Sequence, residues 1–149
     1  MAFGKKNNVR LDPLAYNICL LGESKVGKTT LMKEVCEKLA GDDGYLFLEC
    51  GTERGADAIQ GINYINCPEW DMDYDELTNS AGLADVCEDI IENKTSEYPN
   101  LKAVIFDTYD HLIDIAEQKS IDMWNKECRN SGHAEKCVKS INQAWLWSR

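Results

Sequence analysis

The residues best suited to chemistry form one eight-residue stretch, Gly22-Glu23-Ser24-Lys25-Val26-Gly27-Lys28-Thr29. It matches the pattern G-x-x-x-x-G-K-[ST], whose glycines allow backbone angles that a side chain would forbid. The amides of such a loop turn inward as a concave anion site, and the following helix adds the positive end of its dipole. The pattern predicts that phosphates bind here, with Lys28 reaching the β- and γ-phosphates of a nucleotide and Thr29 ligating Mg²⁺.

We call residues 22–29 the phosphate loop. The nucleotide is expected to contact this loop and the residue after it, which gives a set of nine: Gly22, Glu23, Ser24, Lys25, Val26, Gly27, Lys28, Thr29 and Thr30. Lys25 is extra to the motif, and two interpretations stay open for it: a solvated loop lysine or a second phosphate contact. A chance glycine-rich turn is the alternative for the whole loop, but an apolar run before it and a helical pattern after it favour phosphate binding.

A second acidic site follows a short apolar run. Four residues, Ala103-Val104-Ile105-Phe106, predict a strand that delivers Asp107 to its carboxyl end. A carboxylate there can hold Mg²⁺ through the water shell of the ion. The alternative is an ordinary acidic residue that ends a core strand, but the phosphate loop upstream favours the metal role.

Hydrolysis would need a residue that orients or deprotonates the attacking water. Glu49 and Glu53 both lie at or after the end of a second predicted strand, at the same edge as the phosphate loop. We select Glu53 as the catalytic residue beside Lys28, the alternative being a solvated loop carboxylate. Arg54 is either a charge clamp across a subunit contact or a surface group.

The elements that must position these residues alternate along the chain. Apolar runs predict strands and residues spaced three and four apart predict helices. The predicted strands cover residues 16–21, 45–50, 62–65 and 103–106, and the predicted helices start at Lys28 and cover residues 56–60, 80–93 and 110–130. This order indicates an α/β fold with a parallel sheet, in which ligands bind at the carboxyl ends of the strands. Residues 1–15 are a polar arm, and residues 16–149 are the expected nucleotide-binding domain.

Composition limits the function classes. A chain of 149 residues with 44% hydrophobic and 28% charged residues fits one soluble globular domain. No apolar run approaches the ~20 residues that span a bilayer, and the start has no signal-peptide pattern, so we expect a cytoplasmic protein without membrane contact. The net charge of −10 is poorly suited to binding nucleic acid without a partner. Seven scattered cysteines are expected to be buried small hydrophobes rather than bridges.

Taken together, the phosphate loop, the segment from Phe47 to Gly55 and the run ending in Asp107-Thr108 resemble the RecA-like ATPases. The likeness is greatest to bacteriophage AAA-type ATP-binding proteins, which are similar to RecA-related single-strand annealing proteins. The resemblance implies a RecA-like P-loop core, ATP with Mg²⁺, homo-oligomers, and a role in phage DNA recombination, replication or repair in the host cytoplasm. Single-stranded DNA would be reached through an oligomer or a partner protein.

By the same resemblance, Lys28 and Thr29 serve the phosphates and metal, Asp107 is the metal carboxylate and Glu53 is the general base. Proteins of this group add a strand between the loop strand and the Asp107 strand, so the core is expected to be incomplete here and ATP hydrolysis to require its completion.

Two other functions stay open. A small-molecule phosphotransferase needs arginines that close over phosphates, and the chain has only Arg10, Arg54, Arg129 and Arg149. The other is a nucleotide-binding module without turnover.

Two motif fragments were weighed as well. Residues 93–96 lack the aspartate of a guanine-specificity motif, which favours ATP over GTP. The set Cys128, His133 and Cys137 offers only three ligands for a zinc site.

Overall fold

The computed structural model describes residues 13–52 and 54–143, which form an α/β fold around a parallel sheet. In these residues the strands are β1 (Tyr45–Cys50), β2 (Tyr64–Cys67) and β3 (Ala103–Asp107), in the spatial order β2-β1-β3. The helices are α1 (Lys28–Ala40), α2 (Leu83–Glu92) and α3 (Tyr109–Asn130), with short 3-10 turns at Pro13–Ala15, Ala56–Ala58 and Ala134–Lys136. The predicted α/β class and parallel sheet are confirmed.

Most predicted elements are present, several of their boundaries differ by one to three residues, and the helix expected at residues 56–60 is the 3-10 turn Ala56–Ala58. The strand expected at residues 62–65 is β2, two residues later. The helix expected from residue 80 begins at Leu83 because the preceding backbone is engaged elsewhere. Ser80 exchanges backbone hydrogen bonds with Asp75, and the amide of Ala81 donates to the carbonyl of Asn66.

The strand predicted at residues 16–21 is not formed, and this prediction is wrong. These residues have no strand assignment, and Ile18 and Leu21 are 60% and 87% exposed. A strand exists only through hydrogen bonds to a neighbouring chain segment. Within the described residues β3 pairs with β1 alone, and Val104 and Phe106 on β3 are 38% and 42% exposed. The apolar run leading into the phosphate loop therefore has the composition of a strand but no partner.

The sheet has helices on both faces, and the alternation of side chains along each strand decides which residues face which helix. Tyr45 and Phe47 pack with Cys36 of α1, and Ala103 and Ile105 of β3 join them. The intervening residues, Leu48 and Cys50 among them, pack on the opposite face with residues of α2 and α3 such as Leu83, Val86 and Ile115. By the same alternation, Glu49 and Asp107 project from the α1 face.

Two further sequence expectations concern the cysteines and membrane contact. All seven cysteines are free thiols. Cys36, Cys50, Cys67 and Cys128 are buried as expected, Cys87 and Cys137 are half-buried, and Cys19 is exposed, so the expectation is wrong for Cys19. None of the described helices is long and apolar enough to cross a membrane.

Candidate functional site

The phosphate loop turns sharply into α1. Lys25 and Gly27 both have left-handed backbone angles, with φ of 64° and 89°. Gly27 is the residue before α1, and no side chain caps this helix end. The first amides of a helix have no partner within the helix, so those of α1 remain available to an acceptor. The loop and helix end thus present backbone donors and the positive end of the helix dipole to the same space.

Lys28 closes the loop on itself. Its Nζ donates to the carbonyl oxygens of Gly22 and Glu23, at 2.9 and 2.7 Å. The ammonium group therefore joins the start of the loop to the start of α1, in a contact that is exposed to solvent. An ammonium group has three donors, so this position leaves one for another acceptor.

Thr29 joins the loop to the end of β3. Its Oγ1 donates to Oδ2 of Asp107 at 2.6 Å, and both side chains are half-buried. The two residues are 78 positions apart, so only the fold brings them together. Asp107 is the last residue of β3, which pairs in parallel with β1 and directs its carboxyl end toward the start of α1.

Glu49 is the unexpected member of the site. It is paired in register with Asp107 across the neighbouring strands, and its side chain is buried, with 4% exposure. Its Oε1 accepts the amide of Ala56 at 2.8 Å, and the amide of Gly55 also donates toward the carboxylate. Its Oε2 is buried and has no hydrogen-bond partner in the described part of the chain.

The environment of Glu49 shifts its acid strength. Burial raises the pKa of this carboxyl above its usual value, the amides of Ala56 and Gly55 lower it, and the charges of Asp57 and Asp107 raise it further. The net direction is upward. The burial and the proximity of a second carboxylate thus disfavour the ionised form of Glu49, because neither charge is surrounded by water.

The segment after β1 carries the residue selected from the sequence as the catalytic base. Glu53 lies outside the described residues, so its position is not stated, and Arg54 beside it is exposed. The segment is held at both ends. Glu49 binds the amides of Gly55 and Ala56, while His111 of α3 contacts the Cys50 carbonyl oxygen through Nδ1 at 3.2 Å.

The nine residues predicted to contact the nucleotide differ in their exposure to solvent. Lys28 and Thr29 are half-buried, and the remaining seven of the expected nucleotide contacts are exposed: Gly22, Glu23, Ser24, Lys25, Val26, Gly27 and Thr30. The exposure is that of a surface loop open to a ligand. Cys128 and Cys137 are engaged with backbone carbonyls of Lys136 and Asn125, and His133 lies beside Glu135.

The residues present fit phosphate and Mg²⁺. The Thr29 hydroxyl and the Asp107 carboxylate are hard oxygen donors held within 2.6 Å of each other. Mg²⁺ is usually bound by one or two carboxylates together with phosphate and water, rather than by a cage of protein ligands. The described residues contain no cluster of three or more His, Cys, Asp and Glu that could hold a metal ion.

The sequence assigned both Thr29 and Asp107 to the metal, and the structure places them within hydrogen-bond distance of each other, but sequence reasoning undervalued Glu49. A glutamate inside the apolar run of residues 45–50 was a signal, since a charged group in a buried strand needs a reason to be there. The contact of His111 had no such signal, because His111 is 61 residues from the carbonyl oxygen that it meets.

Comparison with known proteins gives no relative: no protein-family model, no curated protein and no solved structure matches this chain significantly.

Proposed function

We propose that this protein binds ATP with Mg²⁺ at the phosphate loop and Asp107, as a P-loop nucleotide-binding protein of RecA-like type. The observation that carries the proposal is the 2.6 Å hydrogen bond from Thr29 to Asp107. It joins the last residue of the loop motif to the carboxylate that the sequence, given the loop, suggested for the metal. A chance glycine-rich turn and an ordinary strand-end aspartate would give no reason for this meeting.

The residues divide the work of binding. Lys28 already contacts the loop, and its ammonium group can exchange the carbonyls of Gly22 and Glu23 for phosphate oxygens. The uncapped amides at the start of α1 donate to the same anion. Thr29 and Asp107 would hold the metal, and Mg²⁺ bound there would neutralise charge on the phosphate oxygens.

Hydrolysis is the reaction we propose for this site, with Lys28 stabilising the charge on the transferred phosphoryl group. Glu53, the proposed base, comes three residues after the end of β1 in the sequence, and β1 is the neighbour of the strand that ends at Asp107. The role in phage DNA recombination, replication or repair, and the homo-oligomer, rest on the resemblance of the motifs alone. With a net charge of −10, contact with single-stranded DNA would run through an oligomer or partner.

The test is ATP turnover by the purified chain, with and without single-stranded DNA and with and without Mg²⁺. Lys28→Ala should abolish turnover, whereas Lys94→Ala, which removes an exposed lysine far along the chain, should not. Turnover that survives Lys28→Ala would refute the proposal. Tight ATP binding with no turnover under any of these conditions would select a binding module instead, and phosphoryl transfer to a small metabolite would select a phosphotransferase.

A further inference from the structure

We propose that Glu49 is a positioning residue of the nucleotide site, which holds the segment after β1 with one carboxylate oxygen and water of the bound metal with the other. The contact with metal-bound water is the second half of this inference, and it alone rests on the proposed function. The first half, the hold on the segment after β1, concerns contacts that exist without nucleotide.

The first half follows from Oε1. This atom accepts the amide of Ala56, the first residue of the 3-10 turn Ala56–Ala58, and the amide of Gly55 before the turn donates toward the same carboxylate. Gly55, the residue before that turn, has no side chain that could cap it. The carboxylate of Glu49 therefore ties the start of the turn to β1.

The second half follows from Oε2. Buried polar atoms nearly always have a hydrogen-bond partner, and Oε2 of Glu49 has none among the described residues. Neighbouring parallel strands are about 4.8 Å apart, and residues in register project to the same face. The carboxylates of Glu49 and Asp107 are therefore side by side on the α1 face, next to the hydroxyl of Thr29.

The chemistry of that position selects the partner. Two adjacent carboxylates attract a divalent cation, and Mg²⁺ keeps several of its waters when it binds. Water on a cation is a strong donor, and a carboxylate oxygen is a strong acceptor. Because Thr29 would ligate the metal and Asp107 would hold it through its water shell, Glu49 beside Asp107 would likewise accept a hydrogen bond from a metal-bound water. Its contribution is orientation of the hydrated ion, with no direct contact to phosphate.

Two substitutions of Glu49 test the two halves of the inference separately. Glu49→Gln keeps an oxygen that can accept the amides of Gly55 and Ala56, but it replaces the other oxygen with an NH₂ donor. Glu49→Ala removes both acceptors. Asp57→Asn is the matched control, because Asp57 is an exposed acidic residue of the same 3-10 turn whose carboxylate accepts from Tyr64.

The readouts are amide hydrogen exchange at Gly55 and Ala56 without nucleotide, and ATP affinity by calorimetry as Mg²⁺ is varied. Glu49→Gln should keep amide protection within about threefold, yet raise the Mg²⁺ concentration needed for tight ATP binding about tenfold, the size of a lost bond to a charged group. Glu49→Ala should in addition lower the protection about tenfold or more. Asp57→Asn should leave both quantities unchanged.

Three results would overturn parts of the inference. Unchanged amide protection in Glu49→Ala would remove the positioning of the segment. An unchanged Mg²⁺ requirement in Glu49→Gln would remove the contact with metal-bound water, and Glu49→Gln suffices for this arm even where Glu49→Ala does not fold. Failure of the unsubstituted protein to bind Mg·ATP would instead refute the proposed function, and it would leave the exchange result at Gly55 and Ala56 standing as a test of the first half.

Discussion

Thr29→Val tests the contact that joins the two halves of the site. Valine has nearly the shape of threonine but no hydroxyl, so the substitution removes the donor to Asp107 and leaves the packing of α1 almost unaltered. A hydrogen bond to a charged group contributes about 1.5–3 kcal/mol. Both side chains are half-buried, which weakens the interaction through solvent, so we take the lower limit of about 1.5 kcal/mol.

The loss should be visible in unfolding without any ligand. For a domain of this size each kcal/mol shifts Tm by ~2–4 °C, so Thr29→Val should melt about 3–6 °C lower by circular dichroism. Thr29→Ser keeps the hydroxyl and should retain most of the stability. In a double-mutant cycle with Asp107→Ala, the two substitutions should be non-additive by about 1 kcal/mol or more.

Additivity within about 0.5 kcal/mol, together with equal melting of Thr29→Val and Thr29→Ser, would refute the contact. The same variants carry the consequence for function. Thr29→Val should weaken ATP binding in the presence of Mg²⁺ far more than in its absence, because the lost hydroxyl is the proposed metal ligand.

Three further predictions concern other parts of the molecule. Gly27→Ala and Gly41→Ala should each lower the free energy of unfolding, since both glycines have φ near +90° and an added Cβ meets no atom within 4 Å. The expected loss is about 1–2 kcal/mol at Gly27, which is left-handed with ψ of 23°, and about 1–3 kcal/mol at Gly41, whose ψ of 169° lies in a region almost confined to glycine. Only Gly27→Ala should also weaken Mg·ATP binding, and equal binding by the two variants would contradict the role of the loop. Hydrogen bonds from the Tyr98 hydroxyl and, to a smaller extent, the Asn93 amide lower the pKa of Asp89 below its usual value. These two bonds therefore stabilise the folded protein above about pH 4, and their contribution is lost as pH falls through the pKa of Asp89 in the folded state. Tyr98→Phe should therefore lower Tm at pH 7 and show a shallower fall below pH 4 than the unsubstituted chain; parallel pH curves would count against it. Burial raises the pKa of the Cys50 and Cys67 thiols to about 12, whereas Cys19 is exposed. Treatment with iodoacetamide at pH 8, followed by mass spectrometry, should therefore show Cys19 labelled first. Early labelling of Cys50 or Cys67 would show that the α2 face of the sheet is open to the reagent.

The local parts of the fold were predictable because their causes are local. The apolar run of residues 45–50 predicted β1 correctly, and the helical spacing after Lys28 predicted α1. The positive φ of Gly27 follows from a motif whose glycine has no Cβ to clash. The same reasoning failed at residues 16–21, where the composition of a strand was present but its hydrogen-bonding partner was not. A strand is a property of two chain segments, so one apolar run does not suffice to predict it.

The candidate site likewise has a part that local sequence patterns predict and a part that depends on strand pairing. Lys28 and Thr29 came from the motif, and Asp107 came from a strand-end pattern, but their meeting depends on the pairing of β3 with β1. The importance of Glu49 depends on that pairing too. Its burial and its tie to Gly55 and Ala56 arise only when β1 is enclosed between β2 and β3. From the sequence, Glu49 and Glu53 were two acidic residues of similar appearance.

The most direct test of the account is isothermal titration calorimetry of the folded protein with Mg·ATP, performed alongside Lys28→Ala and Lys94→Ala. The account predicts a saturable heat of binding near one site per chain for the unsubstituted protein and for Lys94→Ala, and its loss in Lys28→Ala. No heat of binding in well-folded protein, or equal binding by Lys28→Ala, would contradict the claim that this loop holds the phosphates of a nucleotide.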